Sequence, residues 1–128
     1  AVKPLGRAVL ADIENGPGPF EGEAFDAVVV TNYLWRPVLP AILGALAPGG
    51  VLIYETFAID HASVGRPSRP DFLLRPGELL PVCQGLRVVA YEDGHIAEPE
   101  RFVQRIVAVR EVRPDGAPPP RYPLDAAG

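Results

Sequence analysis

FDAVVVTNYLWRPVLPAILGALAPGGVLIYE, residues 25–55, holds two apolar runs rich in β-branched residues, joined by a short helical stretch and a Pro-Gly-Gly turn. Val28, Val29 and Val30 form one run, and Val51, Leu52 and Ile53 form the other. Strands with one face in water alternate apolar and polar residues, whereas unbroken runs mark strands buried on both faces. The pair therefore reads as a parallel β-α-β unit covered by helices. Between the runs, Leu39, Ile42, Leu43 and Leu46 fall on one face of a helix expected over residues 37–46. Prolines are tolerated near its start because the first turn leaves its amide donors unpaired anyway, and Pro48-Gly49-Gly50 is a helix stop. In open α/β sheets, ligands bind beyond the carboxyl ends of the strands. Those ends are Thr31-Asn32-Tyr33 and Tyr54-Glu55-Thr56.

Working outward, AVLADI at residues 8–13 is a short strand that ends on an acidic residue and runs into the turn-rich NGPGP. A third strand is expected over residues 51–57. The connection over residues 58–74 carries His61, Arg66 and Arg69 among small and polar residues. Connections of that length are usually lids, binding loops or disordered segments. A short helix is expected over residues 76–84, ended by Gly85, followed by strands over 86–91 and 102–112 with a turn over 92–100. Adjacent strands of this kind form a hairpin, which gives a mostly parallel sheet an antiparallel edge. The last stretch, RPDGAPPPRYPLDAAG, has too little apolar area to order itself, so residues 1–112 read as one domain and 113–128 as a disordered Pro-rich tail.

Composition narrows the function classes. The 128 residues are 48% apolar and 22% charged, with a net charge of −4, and no cluster of Lys or Arg marks a nucleic-acid backbone site. No apolar run reaches membrane-span length, and no secretory pattern opens the sequence. The one cysteine, Cys83, excludes an intrachain disulfide and reads as core; no Cys/His set has metal-ligand spacing. His95, in the expected turn, reads as exposed. A cytoplasmic protein with no nucleic-acid or membrane partner is expected.

Phe25-Asp26 opening a buried strand, Pro48-Gly49-Gly50 twenty-two residues after Asp26, then a strand and a terminal hairpin, resembles the second half of a class I S-adenosylmethionine-dependent methyltransferase. Thr31-Asn32-Tyr33-Leu34-Trp35-Arg36-Pro37, Tyr54-Glu55-Thr56-Phe57, Gly65-Arg66-Pro67 and Leu73-Leu74-Arg75-Pro76-Gly77-Glu78-Leu79 look most like its small-molecule branch related to tellurite-resistance-type methyltransferases. The resemblance covers residues 8–112. It implies a Rossmann-like α/β sheet, mostly parallel with an antiparallel C-terminal hairpin, S-adenosyl-L-methionine as cofactor and a small-molecule methyl acceptor. It also implies an absence: the family's first two βα units, with the Gly-rich loop and the acidic residue for the ribose, have no counterpart here. Family strand order is 3-2-1-4-5-7-6, so the strand over residues 8–13 should lack its neighbour. A fragment so built exposes strand edges, and self-association or complementation by a missing N-terminal segment is expected.

The resemblance places Asp12 and Ile13 on the adenine side of the cofactor. Thr31 and Asn32 either line the cofactor or acceptor pocket, with the cofactor side expected, or cap the following helix, both being good capping residues. Methyl transfer asks mainly for alignment and exclusion of water, because the sulfonium is already activated. A base is needed only for an acceptor that arrives protonated. Tyr33 and Glu55 are the expected catalytic residues, Glu55 being a carboxylate in an apolar strand that needs a partner or a raised pKa. Arg36, Tyr54, His61 and Arg66 are expected to contact the substrate, Arg36 because a cation at a helix N-terminus calls for a ligand or a carboxylate. Two rival readings stand beside this one. The first is a non-catalytic methyltransferase-like module that associates through its sheet edge; the second is a nicotinamide-dependent Rossmann protein, against which the hairpin and the Phe-Asp…Pro-Gly-Gly pairing count.

Overall fold

The alternation of side chains along the strands puts Val28, Val30, Leu52, Tyr54, Ile106 and Ala108 on one face of a single sheet, each no more than 1% exposed. The computed structural model describes the backbone of residues 8–10 and all of residues 24–123. Asp12 and Ile13 lie outside the described residues. Among the described residues five strands, β1 (Ala8–Leu10), β2 (Phe25–Thr31), β3 (Leu46–Phe57), β4 (Arg87–Ile96) and β5 (Arg101–Val109), lie in the order β1-β2-β3-β5-β4. β1, β2 and β3 are parallel, while β5 runs antiparallel to both β3 and β4. The order β2-β3-β5-β4 is the 4-5-7-6 arrangement expected from the sequence.

Contrary to expectation, β1 has a neighbour. Ala8, Val9 and Leu10 pair directly with Ala27, Val28 and Val29. The outer edge of β2 is a row of backbone donors and acceptors, and the AVL backbone is the partner that satisfies them.

Burial on both faces is also corrected. The helical segments, α1 (Leu39–Gly44) with a 3-10 turn before it (Arg36–Val38) and α2 (Leu79–Val82), bury Val38, Ile42, Leu79 and Cys83 in the same core as Leu52 and Ile106. Val29, Ile53 and Val107 point the other way, and Ile53 is 40% exposed. Among the described residues, one face is covered and the other is open. Burial of each large side chain on the covered face contributes about 1.5–3 kcal/mol.

Local differences have local causes. The expected helix over 37–46 ends at Gly44, because Leu46 pairs with Phe25 and begins β3. The Pro-Gly-Gly motif lies within β3, where a Cβ on Gly50 would sit 2.8 Å from the carbonyl oxygens of Ala47 and Phe25. Only glycine fits at that crossing. α2 is shorter than expected, since Pro81 falls inside the stretch, where it has no amide to donate and its ring crowds the preceding turn. β4 continues to Ile96, leaving a turn over only 97–100, because Arg105 bridges Glu92 and Glu55 across the strands and the His95 ring packs 4.8 Å from that of Phe102. Polar residues that read as turn are a solvated ladder. Residues 58–74 form a loop with a closed neck, where Ile59 N–H donates to Leu74 O at 2.8 Å and Leu74 N–H to Phe57 O at 2.9 Å, with two 3-10 turns inside it. Residues 113–123 have no helix or strand; Tyr122 donates its hydroxyl to Glu111 at 3.0 Å and stacks under Arg87. No helix among the described residues is long and apolar enough to cross a membrane.

Candidate functional site

β2 and β3 end side by side, Thr31 paired with Glu55, and the chain leaving them turns sharply at Asn32. Asn32 holds φ at 55°, a left-handed conformation that asparagine tolerates better than most residues, and its N–H donates to Glu55 O at 2.9 Å. The following 3-10 turn begins at Trp35 with no side-chain cap, so neither Thr31 nor Asn32 caps it. Asn32 borders a cleft of about 550 Å3, with Glu55, Phe57, His61, Arg66 and Arg101. Four expected site residues, Asn32, Glu55, His61 and Arg66, thus share one wall system. Thr31 lies instead over a second groove of about 240 Å3 on the open sheet face, with Ile53, Tyr91 and Arg105; Glu55 borders both.

Glu55 is half-buried and does have a partner, Arg105, whose Nη1 donates to it at 3.2 Å. His61 is 5% exposed and stacked on Phe57 with ring centroids 4.4 Å apart. Its Nδ1 accepts the Phe102 N–H at 3.3 Å, so Nε2 carries the proton and donates to Arg66 O at 3.1 Å. Both ring nitrogens are committed to backbone. The imidazole therefore joins the 58–74 loop to the start of β5 and fixes one side of the cleft.

Tyr33, Tyr54 and Arg36 do not border the cleft; they set the geometry behind it. Tyr54 is 1% exposed, and its hydroxyl donates to Tyr33 O at 2.6 Å. Burial pushes the phenol well above its usual range, so it stays a donor. Arg36 is turned toward α2, with Nε and Nη2 each 2.8 Å from a carboxylate oxygen of Glu78, Nη2 also 2.8 Å from Leu73 O and Nη1 3.1 Å from Asp71 O. The carboxylate called for by the sequence is Glu78. Their hydrogen bond holds the Glu78 carboxyl below its ordinary range and raises the Arg36 guanidinium.

Gln104, fully buried on β5, completes this scaffold: its Nε2 donates to Arg75 O at 2.6 Å, and its Oε1 accepts from Leu79 N–H at 3.3 Å and from the Tyr91 hydroxyl at 3.0 Å. Neither Gln104 nor Glu78 is among the site residues expected above. The signal for Gln104 was a lone amide in the apolar run FVQRIVAV, since a polar group that is buried must be satisfied. Cys83 is buried as expected, and burial pushes its thiol from 9.0 to about 11. Among the described residues, no group of three His, Cys, Asp or Glu is placed to hold a metal ion.

No family model matches the sequence, and no curated protein matches it. Solved structures do. TehB from Haemophilus influenzae aligns with a TM-score of 0.53 and 18% identity over 73% of this chain and 38% of its own. The N-methyltransferase NodS from Bradyrhizobium japonicum WM9 gives 0.52 and 19% over 71% of this chain and 53% of its own. A SAM-dependent methyltransferase from Methanosarcina mazei gives 0.53 and 12% over 73% and 63%. The chain thus spans between 38% and 63% of the length of these three proteins. Over about 73% of its own length, it has the Rossmann-like fold of the class I S-adenosylmethionine-dependent methyltransferases.

Proposed function

We propose that this chain forms the acceptor side of a class I methyltransferase that moves a methyl group from S-adenosyl-L-methionine to a small molecule. The two βα units that bear the Gly-rich loop and the ribose-binding acid would lie outside these 128 residues. The observation that carries this reading is the cleft at the carboxyl ends of β2 and β3, in a sheet ordered β2-β3-β5-β4. That is where ligands sit in doubly wound folds. Its volume of about 550 Å3 suits a small molecule, and the net charge of −4 gives no bulk attraction for a nucleic acid.

The described residues fit one wall of a cofactor site. Asn32 has no side-chain partner among them, and its amide offers a donor and an acceptor at the strand end. Asn32, with Asp12 and Ile13, would hold the cofactor, which supplies a methyl group already activated on sulfur; Thr31, turned to the second groove, would not reach it. Glu55 would take the proton from an acceptor that arrives protonated, its carboxylate held in place by Arg105. Tyr33 would act from behind the wall, packed against the core directly after Asn32, while His61 and Arg66 supply the opposite wall. Arg36 and Tyr54 act by positioning, one tying the β2 exit to α2 and the other fixing the Tyr33 backbone.

Calorimetry with S-adenosylhomocysteine, on this chain and on a chain extended by two N-terminal βα units, tests the reading. Heat is expected from the extended chain, with transfer of labelled methyl to a small-molecule acceptor. Asn32→Ala should weaken binding about tenfold, the loss of one ligand hydrogen bond. An extended chain that gives no heat refutes it. A second reading, a non-catalytic module that associates through its sheet, is favoured by the open face around Ile53, 40% exposed. Concentration-dependent sedimentation together with no cofactor binding by the extended chain would select it.

A further inference from the structure

The charged groups around the cleft divide by whether they have partners. Both carboxylates do: Arg105 reaches Glu55 at 3.2 Å, and His95 Nε2 lies 3.1 Å from Glu100 Oε2. Arg66 and Arg101 make no side-chain hydrogen bond or ion pair among the described residues. Both residues line one cleft together with Glu55 and Glu100. A guanidinium with no fixed partner keeps its donor fork open to an anion that enters.

The two arginines are held rather than adrift. His61 donates to the carbonyl of Arg66 itself and accepts from the amide of Phe102, the residue after Arg101. One buried ring therefore fixes the backbone at or beside both, and commits a loop residue and a strand residue to the same opening. The planar fork of arginine matches the two oxygens of a carboxylate or a phosphate, a match an ammonium point charge does not make. Beside them, Phe57, Val64 and Pro99 supply an apolar wall.

We infer that the cleft takes an oxyanion-bearing small molecule, a carboxylate or a phosphate, with the anion on Arg66 and Arg101 and its apolar body against Phe57, Val64 and Pro99. Calling that molecule the methyl acceptor rests on the function proposed above; the anion site itself needs no cofactor.

The test is therefore made without one. The 15N-labelled chain is titrated with benzoate, phenyl phosphate and the neutral benzamide. At least one of the two anions should shift amide resonances around the cleft and bind at least tenfold more tightly than benzamide, with an affinity that falls as salt is added. The stronger of the two identifies carboxylate or phosphate as the preferred group. The double substitution Arg66→Gln/Arg101→Gln, at an exposed and a half-buried position, should remove the preference while leaving the thermal midpoint in place. Arg66→Lys/Arg101→Lys should retain only part of it. Equal affinity for anions and benzamide, no shift with any of the three, or a Gln variant that keeps the preference overturns the site. Arginine-dependent anion binding in a protein that never binds S-adenosylhomocysteine would sink the methyl-transfer reading alone. Methyl transfer without anion preference would sink the anion site alone.

Discussion

Breaking the Arg36–Glu78 pair should loosen the chain where it leaves β2. The side chains are 29% and 13% exposed, so the pair lies between a surface ion pair, worth about 0–1 kcal/mol, and a buried one, whose rupture costs about 3–5 kcal/mol. Replacing Arg36 with methionine strips the donors from Leu73 O and Asp71 O and leaves the carboxylate with only the Arg75 N–H, an expected loss of about 2–4 kcal/mol. Glu78→Gln keeps an acceptor for Arg75 and should lose about 1.5–3 kcal/mol. The double-mutant cycle should therefore return a coupling of about 2 kcal/mol. With a urea m-value of roughly 1.5 kcal/mol/M, that coupling is a midpoint difference of about 1.3 M. The pH dependence has a definite sign. The Glu78 carboxyl is held below 4.5 in the folded chain, so its contribution is complete above the unfolded value and is lost as pH falls through the folded one. Urea unfolding at pH 7 and pH 3 reads both. A coupling under about 0.3 kcal/mol at pH 7, or one unchanged at pH 3, refutes the role given to the pair.

Adjacent positions on β3 should respond oppositely to truncation: Leu52→Ala should lose about 2–5 kcal/mol and Ile53→Ser less than about 1, measured by urea midpoints, and equal losses would contradict a sheet covered on one face. Cys83 should resist a disulfide reagent at pH 8 until the chain unfolds. Because its thiol titrates at about 11 when folded against 9.0 ordinarily, the stability difference between wild type and Cys83→Ala should shrink as pH rises from 9 toward 11. Rapid labelling of the native protein would place the thiol outside the core.

The elements legible in the sequence were those whose neighbours are apolar. Val28–Val30 and Leu52–Ile53 marked parallel strands because β-branched runs have few other uses, whereas Gly50, which read as part of a helix stop, lies inside β3 at a close approach of backbones. The half-open sheet was not legible, since an apolar run is written the same way whether or not a covering layer is present. The hairpin's length was hidden too, because Glu92, His95 and Arg105 are polar for reasons of cross-strand pairing rather than turning. Around the cleft, position along the sheet picked out Asn32 and Glu55. The fate of Arg36 and His61 depended on partners 42 and 41 residues away, which spacing along the chain does not encode.

Among the described residues β5 is the last strand in sequence, yet it lies between β3 and β4. During synthesis β3 emerges with its outer backbone edge unmatched, and it stays so until Val109 has cleared the ribosome exit. The hairpin of β4 and β5 can close early, since only residues 97–100 separate its arms, but its docking onto β3 must wait until β5 has been made. A ribosome that stalls before Phe102 would thus present Val51-Leu52-Ile53 as a sticky, unpaired edge, and chaperone occupancy of nascent chains should peak in that interval.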